Sequence, residues 1–225
     1  PAEGAFFIAS RDRAPYNGPM TRRHRTTRAL LQTAGFAALL ALSASSASAA
    51  DQNLLLITID TLRADRLSCY SREFVRTPAI DALTANGVLF EKAFALCPTT
   101  LPSHANILSG MTPLYHGVHE NSKAKFPSDG LTIAEYLKAQ GYATAAFIGA
   151  FPLNARFGLD KGFDLYDDRL PSRPAQLGTS PERKAGDVVA AAMAWLSQEK
   201  GKWFCWIHLW DPHAPYAPPE PFLTE

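Results

Sequence analysis

Asn53-Leu54-Leu55-Leu56-Ile57-Thr58-Ile59-Asp60 is a run of aliphatic and β-branched residues that stops on an acid. A strand with one wet face alternates apolar and polar residues. This run does not, so it reads as a parallel-sheet strand covered on both faces. Tyr142 to Ile148 is a second such run and Trp203 to Trp210 a third, which ends on Asp211. Helical segments stand between them. Thr77-Pro78 opens a short helix to about Asn86, with Gly87 as its stop. Pro102 to Leu108 forms a helix that begins just after Thr100, and Leu131 to Gln140 one that Gly141 stops. Pro181 to Gln198 is a long helix with Pro at its start, Val88 to Phe94 is extended, and 150–180 is an irregular surface excursion. Strands alternating with helices give a doubly wound α/β sheet.

In open sheets of this kind, ligands bind beyond the carboxyl ends of the strands. Asp60 and the turn Asp211-Pro212-His213 lie at that edge. A third polar segment is Thr99-Thr100-Leu101-Pro102-Ser103-His104-Ala105-Asn106-Ile107-Leu108-Ser109-Gly110. It puts a hydroxyl at the mouth of a helix, where free N–H groups and the dipole favour an anion. A hydroxyl there can attack a phosphoryl or sulfuryl centre, and a metal held by Asp60 would lower its pKa. The plainer role for Thr100 is that of an N-cap.

The chain has 225 residues, 47% hydrophobic and 19% charged, which excludes a disordered or disulfide-scaffold protein. Its formal net charge is +1, but residues 1–50 carry six Arg and two acids, which leaves 16 basic and 19 acidic residues from Asp51 onward. A mildly acidic fold is a poor partner for nucleic acid. Met20 opens an export signal. Arg22, Arg23, Arg25 and Arg28 are basic, Ala29 to Leu42 is mostly apolar but too short for a span, and Ala47-Ser48-Ala49 fits a cleavage site. Residues 1–19 lie outside this pattern, 20–49 are the signal peptide, and 51–225 form the folded part. The expected location is periplasmic or secreted, with no stable membrane span after cleavage; an uncleaved anchor is the alternative. Cys69, Cys97 and Cys205 are too few and too irregularly spaced for a disulfide framework, and Cys205 reads as buried.

Four segments in order resemble the sulfatase family of the alkaline phosphatase superfamily. Asn53 to Asp65, ending Ile59-Asp60-Thr61-Leu62-Arg63-Ala64-Asp65, looks like the family's opening. Thr100 to Gly110 resembles its C-x-P-S-R nucleophile signature, Gly141-Tyr142-Ala143-Thr144 its next strand, and Asp211-Pro212-His213-Ala214-Pro215-Tyr216 its P-H-x-P turn. The resemblance implies an alkaline-phosphatase-like α/β/α sandwich with a mostly parallel sheet. The departures are specific. Thr100 stands where the family has the Cys that becomes formylglycine, His104 where it has Arg, Thr61 where it has a second Asp, and Gly149-Ala150 where many members have Gly-Lys. Phosphonate monoester hydrolases are more similar still, with one Asp followed by a non-acid and an Asn 21 residues after the nucleophile, here Asn121.

The resemblance implies a hydrolase of sulfate esters, phosphodiesters or phosphonate esters. Asp60 is a metal ligand, Thr100 the nucleophile and a metal ligand, and His104 an anion stabiliser or proton acceptor. His213 is the leaving-group acid or binds its oxygen, and Asn121 is a donor to a substrate oxygen. Asp211 orients the turn, and Arg63 and Asp65 brace the first strand as an ion pair. His116, His119 and His208 read as solvated or packed. The cofactor is one divalent ion, Ca²⁺ or Mn²⁺ first, Mg²⁺ or Zn²⁺ next; an added His would favour Mn²⁺ or Zn²⁺. The substrate is a small-molecule, glycan or lipid ester. One Asp and one Thr are few ligands for a hard ion, and no Asp-His-Gly segment is present. The chain therefore reads as the N-terminal part of a longer enzyme, truncated within its fold, inactive alone, and with Trp203 to Trp210 as an exposed sheet edge. A phosphoryl-group transferase on lipid or glycan and a non-catalytic binding protein are the alternatives.

Overall fold

The computed structural model describes residues 52–71, 73, 75–121, 123–172, 181–220 and 222. The signal peptide read over 20–49 and the segment before Met20 lie outside the described residues. The elements are β1 (Leu54–Ile59), α1 (Pro78–Asn86), α2 (Thr100–Ser109), α3 (Pro113–His116), α4 (Ile133–Ala139), β2 (Ala143–Phe147), β3 (Leu165–Asp167), α5 (Ala185–Leu196) and β4 (Trp203–Leu209). The four strands pair in parallel in the order β1-β4-β2-β3. This is the doubly wound architecture expected from the alternation of runs.

Side chains alternate across a strand with period two, and the alternation divides the core into two layers. Phe204, Trp206, Ala146 and Ile148 pack with Leu101, Ala105 and Leu108 of α2 on one face. Cys205, Ile207, Ala145 and Phe147 pack with Val188 and Ala192 of α5 on the other. The register sets Thr58 beside His208 and Leu56 beside Trp206. Thr58 and Asp60, two residues apart, therefore share the α2 face with Trp206 and His208.

Helix ends follow local chemistry. Thr132 and Glu135 form a reciprocal capping box at α4. Gly110, at φ 69°, closes α2 through its N–H to the Asn106 carbonyl, 2.8 Å away.

Several expectations are corrected. Trp203–Leu209 is an inner strand between β1 and β2, not an edge, and Phe204, Cys205 and Trp206 are buried. Among the described residues the edge positions belong to β1 and β3; β1 is mostly half-buried, with Leu54 and Leu56 packed on one core layer and Leu55 and Ile57 on the other. Val88 to Phe94, read as extended, belongs to no helix or strand, and Val88, Phe90 and Phe94 are exposed. The 150–180 stretch is not a surface excursion where it is described. It supplies β3 and the buried Leu153, Phe157 and Leu159. The long helix also starts later than Pro181. Arg183 N–H bonds the Gly149 carbonyl at 2.7 Å, and the Asp211 carboxylate accepts the Ala185 N–H at 2.8 Å at the first turn of α5.

Candidate active site

Asp60 leaves the end of β1 with its N–H on the Leu209 carbonyl at 2.9 Å, so the first acid of the site is tied to β4. Thr61 follows at φ 55°, a left-handed conformation costly for a β-branched residue. The Arg63 guanidinium grips Asp65 at 2.9 and 2.6 Å on the exposed surface, the bracing pair read from the sequence.

Thr100 is the first residue of α2, and the N-cap is Thr99, with extended φ −106° and ψ 148°. The Thr100 hydroxyl is thus not a cap. It stands near enough to the Asp60 carboxylate to help hold the acid's pKa down. Burial works to raise the Asp60 carboxyl, but His208, then His104 and the Thr100 hydroxyl, outweigh it and hold the acid below its usual value. Asn121 arrives from 20 residues onward, and its carboxamide oxygen accepts the Leu101 N–H at 2.8 Å. Pro102 has no N–H. The donors left at the helix mouth are the Thr100 N–H and the Asn121 NH₂ group, fewer than a bare helix end offers.

His104 lies one turn deeper and is buried. Its Nδ1 stands 2.7 Å from the Thr100 carbonyl, which can only accept, so Nδ1 carries the proton. Its Nε2 therefore accepts from the Thr58 hydroxyl at 3.1 Å. The same hydroxyl oxygen accepts the Trp206 indole N–H at 3.0 Å. The relay runs Trp206 to Thr58 to His104 to Thr100 and joins β4, β1 and α2. Both ring nitrogens are committed. The sequence reading gave His104 the Thr100 proton or the substrate anion, whereas the structure turns the ring inward to the backbone and Thr58. Burial first and His208 second push its pKa down to about 3.

That depression has a measurable consequence. Between about pH 6.5 and 3 the unfolded chain binds a proton that folded His104 refuses. Stability is complete above the upper value and falls as pH drops through the window. Urea unfolding at pH 7, 5.5 and 4.5 should show that fall, and His104→Gln should show a shallower one. An identical slope in the variant would remove His104 as its source.

His208, read from sequence as packed or solvated, is instead part of the site. It is fully buried, with Nε2 3.6 Å from Asp60 Oδ2 and its ring edge-on to His104 at 4.9 Å. Asp60, His104 and His208 each place a ligand-type atom within 4.8 Å of the others. The signal was present in the alternation: His208 and Trp206 share parity, as do Thr58 and Asp60, but the pairing of β1 with β4 was needed to bring the two sets together. His116 is packed as expected, bonded to Asn106 Oδ1 at 2.7 Å, and His119 is exposed.

His213 sits on the turn after β4. Its ring stacks on Trp210 at 3.9 Å and 19°, and Nδ1 donates to the Ala214 carbonyl at 2.6 Å. The neutral ring thus has its lone pair on Nε2. Trp210 in turn lies 6.1 Å from the His208 ring. The structure therefore gathers Asp60, Thr100, His104, Asn121 and His208 directly, and joins His213 to them through Trp210. Cys69, Cys97 and Cys205 are all free thiols.

Known proteins are similar to parts of this chain. Arylsulfatase A of Bos taurus is 40% identical over 110 residues, which cover 47% of this chain and 22% of that protein. Steryl-sulfatase of Homo sapiens is 33% identical over 112 residues, covering 45% of this chain and 19% of that protein. The chain spans about a fifth of the length of these curated relatives. A solved phosphonate monoester hydrolase of Agrobacterium radiobacter superposes with TM-score 0.62 and 22% identity over 75% of this chain and 42% of that one, a likeness of fold. The α/β architecture is that of the sulfatases of the alkaline phosphatase superfamily. The sulfatase family profile matches residues 52–225, which include every strand, the Thr100 helix and the His213 turn, and the chain belongs to the sulfatase family.

Proposed function

We propose that this protein hydrolyses sulfuric or phosphoric esters with the Thr100 hydroxyl as the attacking group. The observation that carries this reading is the Thr100 hydroxyl at the first position of α2, beside a largely buried carboxylate whose pKa it helps hold down. That carboxylate faces two histidines that burial holds below their ordinary pKa, and a hydroxyl; no Lys or Arg is among the groups acting on it. A buried anion without a cationic partner is costly, so the donor set fits a divalent cation held by Asp60 and Thr100. When bound, the cation lowers the hydroxyl's pKa and screens the negative oxygens of the ester.

The chain's own groups account for the remaining steps. Thr100 Oγ1 forms a bond to phosphorus or sulfur as the bond to the leaving oxygen breaks. Its proton departs on the Asp60 side, because His104 has no free nitrogen. Asn121 donates from its NH₂ group to a non-bridging oxygen, its carbonyl oxygen being taken by Leu101. As the imidazolium, His213 gives its Nε2 proton to the leaving oxygen and returns to the neutral ring, while Nδ1 stays bonded to the Ala214 carbonyl. Water then cleaves the threonine ester and restores the hydroxyl. A threonine ester needs that hydrolytic step, since threonine cannot form the aldehyde hydrate of formylglycine. This suits a phosphoryl group and points to a phosphodiester or phosphonate ester, small or carried on a glycan or lipid.

The Arg-rich and apolar leader from Met20 to Ala49 supports export. Among the described residues, no helix is long and apolar enough to cross a membrane.

The test is a matched aryl series assayed on the full-length enzyme that contains this chain, with Mn²⁺ or Ca²⁺: sulfate, phosphate monoester, phosphodiester and phosphonate monoester. The expected order puts the diester or phosphonate first. A clear preference for the sulfate would overturn the phosphoryl assignment, and no turnover of any member would overturn the hydrolase.

A further inference from the structure

His208 has no exposed surface, and neither of its ring nitrogens has a hydrogen-bond partner. A buried polar atom left unpaired costs ~1–3 kcal/mol, and here one ring carries two. Its place is not loose. His208 lies on an inner strand opposite Thr58, and the rings of His104, Trp206 and Trp210 surround it. A Cβ on Gly149 would stand 2.8 Å from the His208 carbonyl, so β2 passes close against this point of β4.

The neighbour that Nε2 faces is Asp60 Oδ2, at 3.6 Å. That is too long for a hydrogen bond. It is close to the spacing of two groups bound to one ion: ligands at ~2.1 Å and the tetrahedral angle stand ~3.4 Å apart. His104, the third member of the cluster, spends both nitrogens on Thr58 and the Thr100 carbonyl. The unspent donors are therefore Asp60 and His208.

We infer that His208 is a nitrogen ligand of the divalent cation at Asp60 and makes the site prefer Mn²⁺ or Zn²⁺ to Ca²⁺. Imidazole nitrogen suits the transition ions, whereas Ca²⁺ takes oxygen ligands. The nitrogen supplies a donor on the sheet where Thr61 supplies no carboxylate. The inference rests on the reading that a cation binds at Asp60, and it is tested by binding and not by turnover.

The metal-free full chain is titrated calorimetrically with Mn²⁺, Zn²⁺ and Ca²⁺. Wild type should bind Mn²⁺ and Zn²⁺ at least tenfold more tightly than Ca²⁺. His208→Phe keeps a ring and removes both nitrogens. It should lose at least tenfold in Mn²⁺ and Zn²⁺ affinity and less than threefold for Ca²⁺. Pulsed EPR of the Mn²⁺ form should show an imidazole nitrogen coupling that diminishes in His208→Phe. Unchanged Mn²⁺ affinity in a folded His208→Phe overturns the inference. If that variant does not fold, tighter Ca²⁺ than Mn²⁺ binding by wild type, or no imidazole coupling in it, overturns the inference equally. Mn²⁺ bound through nitrogen by a protein that turns over none of the esters would sink the hydrolase and sustain the ligand. Ester turnover with His208-independent binding would do the reverse.

Discussion

Replacing Thr100 by Ala should lower kcat/KM by on the order of 10⁴-fold or more, the scale seen when a nucleophile is removed from an otherwise intact site. Folding should be nearly unchanged. The cap of α2 is Thr99, and the Thr100 carbonyl that holds His104 belongs to the backbone and survives the substitution. The loss is thus chemical and not structural. Thr100→Ser keeps the hydroxyl and should retain far more activity than the alanine variant. Steady-state kinetics on the preferred aryl ester, paired with urea unfolding, separates the two effects. Wild-type turnover in Thr100→Ala would eliminate the threonine as nucleophile. Equal losses in Ser and Ala variants, with reduced stability in both, would make Thr100 a packing residue. The expected contrast follows from the place of the hydroxyl, at the first position of α2 on the Asp60 side.

Thr58→Val should destabilise the protein by about 2–5 kcal/mol, although the two side chains have nearly the same shape. The Thr58 oxygen accepts the Trp206 indole N–H at 3.0 Å and its proton goes to His104 Nε2 at 3.1 Å. Trp206 is fully buried and His104 nearly so. Valine offers neither function, so an N–H and a lone pair are both stranded away from water. Thr58→Ser keeps both bonds and loses a methyl group, for about 1 kcal/mol. Denaturant unfolding of the three proteins checks the order. Valine costing no more than serine would mean that the relay contributes nothing to holding α2 against the sheet. The variant should also lose activity, because the relay ends on the carbonyl of Thr100, and a shift there moves the hydroxyl relative to Asp60.

Much of the architecture was legible in short runs. Leu54–Ile59 and Trp203–Leu209 announced themselves because inner and near-inner parallel strands are apolar without alternation. The α1 limits at Pro78 and Asn86 agree with the sequence reading because Pro and Gly act locally. Thr100 could be placed at a helix start for the same reason, and the motif order supplied Asp60, Asn121 and His213. Local signals failed where a partner decides the outcome. Val88 to Phe94 has strand composition but no strand beside it. Leu165–Asp167 lies in a Pro- and Gly-rich stretch, yet β2 offers it an edge. His104 looked like a base because its type and position suit one. Its Nδ1 proton is held by the Thr100 carbonyl and its Nε2 is taken by Thr58, 46 residues away in sequence.

His208 marks the boundary most sharply. By itself the sequence determined three of the strands, which acid ends the first strand, and which hydroxyl opens a helix, because propensity, capping and period two act within a few residues. The tertiary structure decided that β4 inserts between β1 and β2 and that its register sets His208 beside Thr58. That placement converts a histidine in an apolar run into a buried, unpaired donor 3.6 Å from Asp60. The physical reason is that hydrogen-bond satisfaction and burial are properties of neighbours, and neighbours across a parallel sheet are set by a crossover far longer than any motif.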